Sequence, residues 1–137
     1  MQVEESRATG WIAWVLFGGI ILVLLGTLHF CLGLIALISP EVLAGTRADQ
    51  LLPVSLTALA WLHLVLGAVA VVTGVGLVRG LTWARVLAIV IGCVAALVNF
   101  AFHHVHPVWS VLAIALATVV VYSVAAHGRE LADAYGS

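Results

Sequence analysis

The chain has 137 residues, of which 64% are hydrophobic and only 8% are charged, and its formal net charge is -1. A soluble domain is typically about 45–50% apolar and about 25% charged, and a folded chain of this size buries only about two-thirds of its surface. This composition excludes an ordinary soluble enzyme, a disordered chain and a basic nucleic-acid-binding protein, and it predicts that lipid covers much of the surface.

Charge-free apolar runs predict four membrane-spanning helices. The first covers about 11–38 and ends at Ser39-Pro40, because the residue before a proline avoids the helical conformation. The second covers about 55–78 and stops before Arg79-Gly80. The remaining charge-free stretch is too long for one crossing, and the histidine-rich break within it predicts the last two spans. Those spans are about 82–102 and 108–126, and the predicted outer loops are 39–54 and 103–107.

The distribution of arginines predicts the orientation. Cytoplasmic segments of membrane proteins are enriched in Lys and Arg. The N-terminus, the loop between the second and third spans and the C-terminus carry four of the five arginines, and the opposite side carries one (Arg7, Arg79, Arg85 and Arg129 against Arg47). The predicted fold is therefore an all-α membrane protein. It is a single domain over 1–137, an antiparallel bundle of four helices in the plasma membrane with both termini in the cytoplasm.

Small residues recur every seven positions in the first two spans. Inside lipid there is no hydrophobic drive between helices, so small residues at a contact permit close van der Waals packing. A seven-residue period keeps these positions on one face. The first two spans are expected to pack against each other along this seam, which consists of Gly19, Gly26, Gly33, Ala60, Gly67 and Gly74.

Two histidines lie inside the spans at matched depths. At about 1.5 Å per residue, His29 and His63 are roughly 12–13 Å from the outer ends of their helices. Three interpretations stay open. Each imidazole is hydrogen-bonded to a carbonyl, to Asn99 or to the other histidine; the pair holds a haem as axial ligands; or the pair belongs to a copper or zinc site that includes the outer turn.

The outer turn contains three further histidines, His103, His104 and His106. Imidazoles titrate near pH 6.5 and bind divalent metals, so this turn is either a metal or pH-responsive site or a polar interfacial turn. No catalytic residue is predicted, because no acid lies within a span and no nucleophile has a base at recognisable spacing. We therefore expect a protein that is not an enzyme. We expect no resident cofactor unless the histidines bind haem, copper or zinc.

Several short motifs resemble those of an uncharacterised actinobacterial family of four-helix integral membrane proteins, a domain of unknown function. They are Trp61-Leu62-His63-Leu64 with Gly67, Leu81-Thr82-Trp83-Ala84-Arg85, Asn99-Phe100-Ala101-Phe102, Pro107-Val108-Trp109-Ser110 and His127-Gly128. The resemblance covers nearly the whole chain, from Gly10 to Gly128. It implies a membrane location and a four-helix fold, and it implies no activity.

The role predicted from the sequence is that of a small accessory or scaffolding membrane protein. Besides the lipid bilayer, its partners would be a second copy of the chain or a larger membrane complex, contacted through small-residue helix faces. One alternative is a haem- or metal-binding redox protein that uses the outer histidines. Another is an oligomeric channel, since hydrophobic pores gate by dewetting.

Overall fold

The computed structural model describes residues 10–46, 49–50, 52–101 and 107–135. In these residues the fold is all-helical, and the four α-helices are α1 (Trp11–Ile38), α2 (Leu56–Val78), α3 (Thr82–Ala101) and α4 (Pro107–Ala134). Each of them is long and apolar enough to cross a membrane. The predictions of an all-α fold and of four apolar helices are thereby confirmed.

The end of α2 has a defined hydrogen-bonding pattern. Gly80 has a φ of 77°, in the left-handed region that glycine adopts without strain. The N–H of Gly80 donates to the carbonyl of Leu77 at 3.0 Å, and the N–H of Leu81 donates to the carbonyl of Gly76 at 2.9 Å. This pair of bonds is a Schellman motif, and it satisfies carbonyls that the helix leaves without an intrahelical partner.

Helix α4 continues beyond the apolar run from which the fourth span was predicted. The helix extends from Pro107 through Arg129, Glu130 and Asp133 to Ala134. The final turns contain mostly good helix formers and no proline, so the helix persists after the residues become polar. The apolar run marks the part of α4 that is suited to lipid, and the helix itself is longer.

The chain divides into two compact units, and the second of them spans Leu22–Val72. Its buried cluster combines both helices with the connection between them: Ala36 of α1, Leu59 and Ala60 of α2, and Leu43 of a short 3₁₀ helix (Pro40–Leu43). The segment 39–54 was predicted only as an outer loop. In the structure, part of it is helical and contributes a fully buried leucine.

The first unit comprises the start of α1, the end of α2, and helices α3 and α4. Its described residues are 10–21, 73–101 and 107–135. Helix α3 packs against α4, and Gly92 lies where an added Cβ would meet the side chain of Val121. Gly18 of α1 lies in the same way against Val120 of α4. Glycines thus permit close contacts between helices in this unit as well.

Candidate functional site: paired histidines beside a glycine seam

The second unit contains four of the six predicted seam residues, and all four are buried (Gly26, Gly33, Ala60 and Gly67). An added Cβ at Gly26 would lie 2.8 Å from the carbonyl oxygen of Gly67. One at Gly33 would lie 2.6 Å from the backbone nitrogen of Leu64 and 2.9 Å from the carbonyl oxygen of Ala60. Backbone therefore faces backbone along this part of α1 and α2, and no side chain larger than hydrogen fits at these glycines.

The other two seam residues, Gly19 and Gly74, are buried in the first unit. An added Cβ at Gly19 would lie 3.1 Å from the carbonyl oxygen of Gly74 and 2.6 Å from a methyl carbon of Val78. Every predicted seam residue is thus placed in a contact between α1 and α2 inside one chain.

His29 and His63 each bond to a carbonyl one turn earlier in their own helix. The Nδ1 atom of His29 is 2.8 Å from the carbonyl oxygen of Leu25, and the Nδ1 atom of His63 is 2.8 Å from that of Leu59. A carbonyl oxygen only accepts, so Nδ1 carries the proton in both rings and donates it. The Nε2 atom of each ring makes no hydrogen bond among the described residues, and with the single proton on Nδ1 that atom is an acceptor.

The two imidazoles also contact each other. Their ring centroids are 5.5 Å apart and their planes differ by 15°, so the rings are stacked. His63 is partly buried, whereas His29 is exposed on the surface of α1. Each histidine thus makes the predicted hydrogen bond to a carbonyl. The two rings contact each other by stacking and not by a hydrogen bond.

This arrangement does not fit a haem held between α1 and α2. A porphyrin between two axial histidines needs the helices to stand apart, because the iron and its macrocycle lie between the rings. Here Gly26 and Gly67 on one side of the pair, and Gly33 with Leu64 on the other, bring the two backbones into contact. For a metal ion the pair supplies two imidazole nitrogens, and among the described residues no group of three His, Cys, Asp or Glu side chains completes a ligand set.

The remaining predicted polar residues are the histidines of the outer turn and Asn99. His103, His104 and His106 lie outside the described residues. Asn99 donates from its side-chain amide to the carbonyl of Ala95 at 2.9 Å, which is again a bond within its own helix.

The family described as Domain of unknown function (DUF7144) matches residues 14–129. The chain belongs to this family. No curated protein and no solved structure matches the chain. The family description names no activity, so membership alone assigns no chemistry to this DUF7144 protein.

This DUF7144 protein has a second polar cluster, which is not predicted from the sequence. The ring of His127 on α4 stacks on Trp11 at the start of α1, with centroids 5.2 Å apart and planes within 4°. Tyr122 contacts both rings edge-on, at 5.0 Å and 5.8 Å. The Nδ1 atom of His127 is 2.5 Å from a carboxylate oxygen of Glu130. The i,i+3 spacing of His127 and Glu130 is enough to predict their contact on one helical face. Nothing in the sequence indicates that Trp11 is their neighbour.

Proposed function

We propose that this chain is a small non-enzymatic accessory or scaffolding protein of the plasma membrane, which associates with itself or with a larger membrane complex. This proposal rests on the environment of the His29 side chain. Its imidazole is exposed on α1, within a helix that has no charged residue, and its Nε2 atom has no hydrogen-bond partner in the described structure.

A free hydrogen-bond acceptor in hydrocarbon favours a protein neighbour over lipid. Polar side chains inside membranes usually face other protein segments, and bonds between helices contribute about 1 kcal/mol each. Lipid tails have no donor for the Nε2 atom of His29, whereas a Ser, Thr, Asn or Tyr of another transmembrane helix does. The exposed side of α1 that carries His29 is therefore the proposed surface of association.

The seam itself is a poor candidate for that surface. All six of its residues are buried in contacts between α1 and α2 within the chain. Small residues already in contact are not available to a second molecule. We therefore propose that the small-residue faces hold α1 and α2 together. Association with other proteins is proposed to use the exposed side of α1 at His29.

The proposed topology has four antiparallel spans with both termini in the cytoplasm. In the second unit, Gly26 contacts residues 67–71 and Gly33 contacts residues 60–64, so residue numbers rise along α1 as they fall along α2. This order supports opposite directions for the two helices. The excess of arginine at the N-terminus, the α2–α3 turn and the end of α4 supports the cytoplasmic placement of that side.

The test is self-association in lipid. Full-length protein carrying donor and acceptor dyes would be reconstituted in liposomes at decreasing protein-to-lipid ratios, and energy transfer would give a dissociation constant. We expect His29→Leu to weaken association about fivefold, since about 1 kcal/mol of interhelical bonding is lost.

Thr27→Val is the matched control. Thr27 is an exposed polar residue of the same helix, but its hydroxyl already donates to the carbonyl of Val23 at 2.7 Å. Removing it should leave the dissociation constant unchanged. If the wild-type protein stays monomeric at every ratio, and no membrane protein co-purifies with it in a His29-dependent manner, the proposal is wrong.

A further inference from the structure

Arg85 in the first turn of α3 is held in a defined position. Its Nη2 atom donates to the hydroxyl oxygen of Thr82 at 3.0 Å. Its aliphatic stem lies across Gly128 of α4, where an added Cβ would overlap the Cδ atom of Arg85. The guanidinium is therefore oriented by one hydrogen bond and by a notch that only glycine leaves open, whereas a surface arginine usually samples many rotamers.

The positive charge of Arg85 has no counterion in the described part of the chain. The ion pair between His127 and Glu130 does not involve Arg85, and Arg85 has no carboxylate partner among the described residues. Its Nε atom is shielded from solvent and has no acceptor. The Nε atom lies beside Gly128 out of reach of an external anion, so an anion would contact the Nη atoms of Arg85. A half-buried charge without a counterion is costly, and such a contact would relieve that cost.

The position of Arg85 fits the boundary of a membrane. Val86 begins a charge-free stretch that continues to the end of α3, and Arg79 lies on the preceding turn. Trp83 lies two residues before Arg85, with part of its indole against Gly76 and the rest exposed. Tryptophan is enriched at the level of the lipid headgroups, where an apolar ring and a polar edge are both accommodated.

We propose that Arg85 and Thr82 bind the phosphate group of an anionic phospholipid. A guanidinium offers donors in a planar fork that matches two phosphate oxygens, and such charge-assisted bonds are about twice as strong as neutral ones. The lipid phosphate places a negative charge beside Arg85, and the acyl chains lie along the adjoining apolar surface of α3. The site is independent of the association proposed for His29, since it uses other residues on another helix.

The test counts bound lipids. Full-length protein in detergent would be titrated with phosphatidylglycerol or with phosphatidylcholine, and retained lipid would be measured by native mass spectrometry. We expect retention of phosphatidylglycerol in preference to phosphatidylcholine, and about a tenfold weaker affinity for phosphatidylglycerol in Arg85→Gln.

Arg129→Gln is the matched control, because it removes an equal charge from an exposed arginine next to Gly128. Its affinity for phosphatidylglycerol should change less than twofold. Equal weakening in the two variants would show diffuse attraction of anionic lipid and would overturn the site. Displacement of the lipid by millimolar inorganic phosphate would assign the site to free phosphate and would also overturn the proposal.

Two milder variants guard against loss of folding in Arg85→Gln. Thr82→Val removes the oxygen that orients the guanidinium, and Gly128→Ala displaces the arginine stem while the net charge stays the same. Both should weaken retention of phosphatidylglycerol by at least threefold with an unchanged helical circular dichroism spectrum. Unchanged retention in both variants would mean that the position of Arg85 does not matter, and the proposal would fail.

Discussion

At the scale of single residues, Gly67 shows how little space separates α1 from α2 in the second unit. An added Cβ there would overlap the backbone nitrogen of Phe30 and would lie 2.6 Å from the carbonyl oxygen of Gly26. Both neighbours are backbone atoms of a helix, so neither can move aside as a flexible side chain does. The contact therefore requires hydrogen at position 67.

Gly67→Leu is accordingly expected to destabilise the protein by at least about 3 kcal/mol, the upper range for overpacking. Ala68→Leu is the control, because Ala68 is the next residue of the same helix and is exposed. Unfolding in mixed micelles with increasing sodium dodecyl sulfate, followed by circular dichroism, measures the difference. Equal stability of the two variants would contradict the close approach of the helices at Gly67.

At the scale of helices and turns, two glycines have a positive φ in different surroundings. Gly45, after the 3₁₀ helix, has a φ of 73° and nothing within 4 Å of an added Cβ. Gly80 has a φ of 77°, and an added Cβ would lie 3.1–3.3 Å from atoms of Ala132 on α4. The backbone conformation is similar at the two sites, but only Gly80 is also confined by a neighbouring helix.

We therefore expect Gly45→Ala to cost about 1 kcal/mol of unfolding free energy, which is the strain of the left-handed conformation alone. Gly80→Ala should cost clearly more, since the methyl group also presses on Ala132 and disturbs the end of α2. Thermal midpoints of the two variants in the same detergent decide the order. A lower midpoint for Gly45→Ala would show that the contact with α4 is unimportant.

The ends of the helices can be predicted from the sequence, whereas the contacts between helices cannot. Ser39-Pro40 and Arg79-Gly80 interrupt apolar runs, and these interruptions are visible without a structure because proline and charge end membrane spans. The contact of Trp11 with His127 is not visible, because a span that is apolar on every side carries no pattern to show which helix it faces. Burial of Leu43 in a polar connection is hidden for a similar reason, since one leucine has no periodicity.

At the scale of the whole molecule, the few charges lie at the ends of the helices. Arg79 follows α2, Arg85 lies in the first turn of α3 and Arg129 lies in the last turns of α4, whereas Glu41 follows the end of α1. No Asp, Glu, Lys or Arg interrupts α1 or α2. A chain of this kind takes its orientation from a small number of arginines.

Cysteine labelling tests this orientation. In a background with Cys31→Ser and Cys93→Ser, we expect Glu41→Cys to react with a membrane-impermeant maleimide on intact cells. Asp133→Cys should react only after the membrane is permeabilised. Both positions are exposed, so accessibility within the protein does not bias the comparison. The reverse pattern would place both termini outside and would contradict the proposed topology.

One long-range hydrogen bond has a consequence for biogenesis. The hydroxyl of Tyr135 donates to the carbonyl oxygen of Val78, the last residue of α2, at 2.6 Å, across 57 positions of sequence. Chains are made from the N-terminus, so α2 and α3 are translated before this hydroxyl exists. During synthesis the Val78 carbonyl can accept a hydrogen bond only from water at first. It accepts one from Tyr135 once the last turns of α4 have left the ribosome. The final hydrogen bond of α2 is therefore a late event in the maturation of the protein.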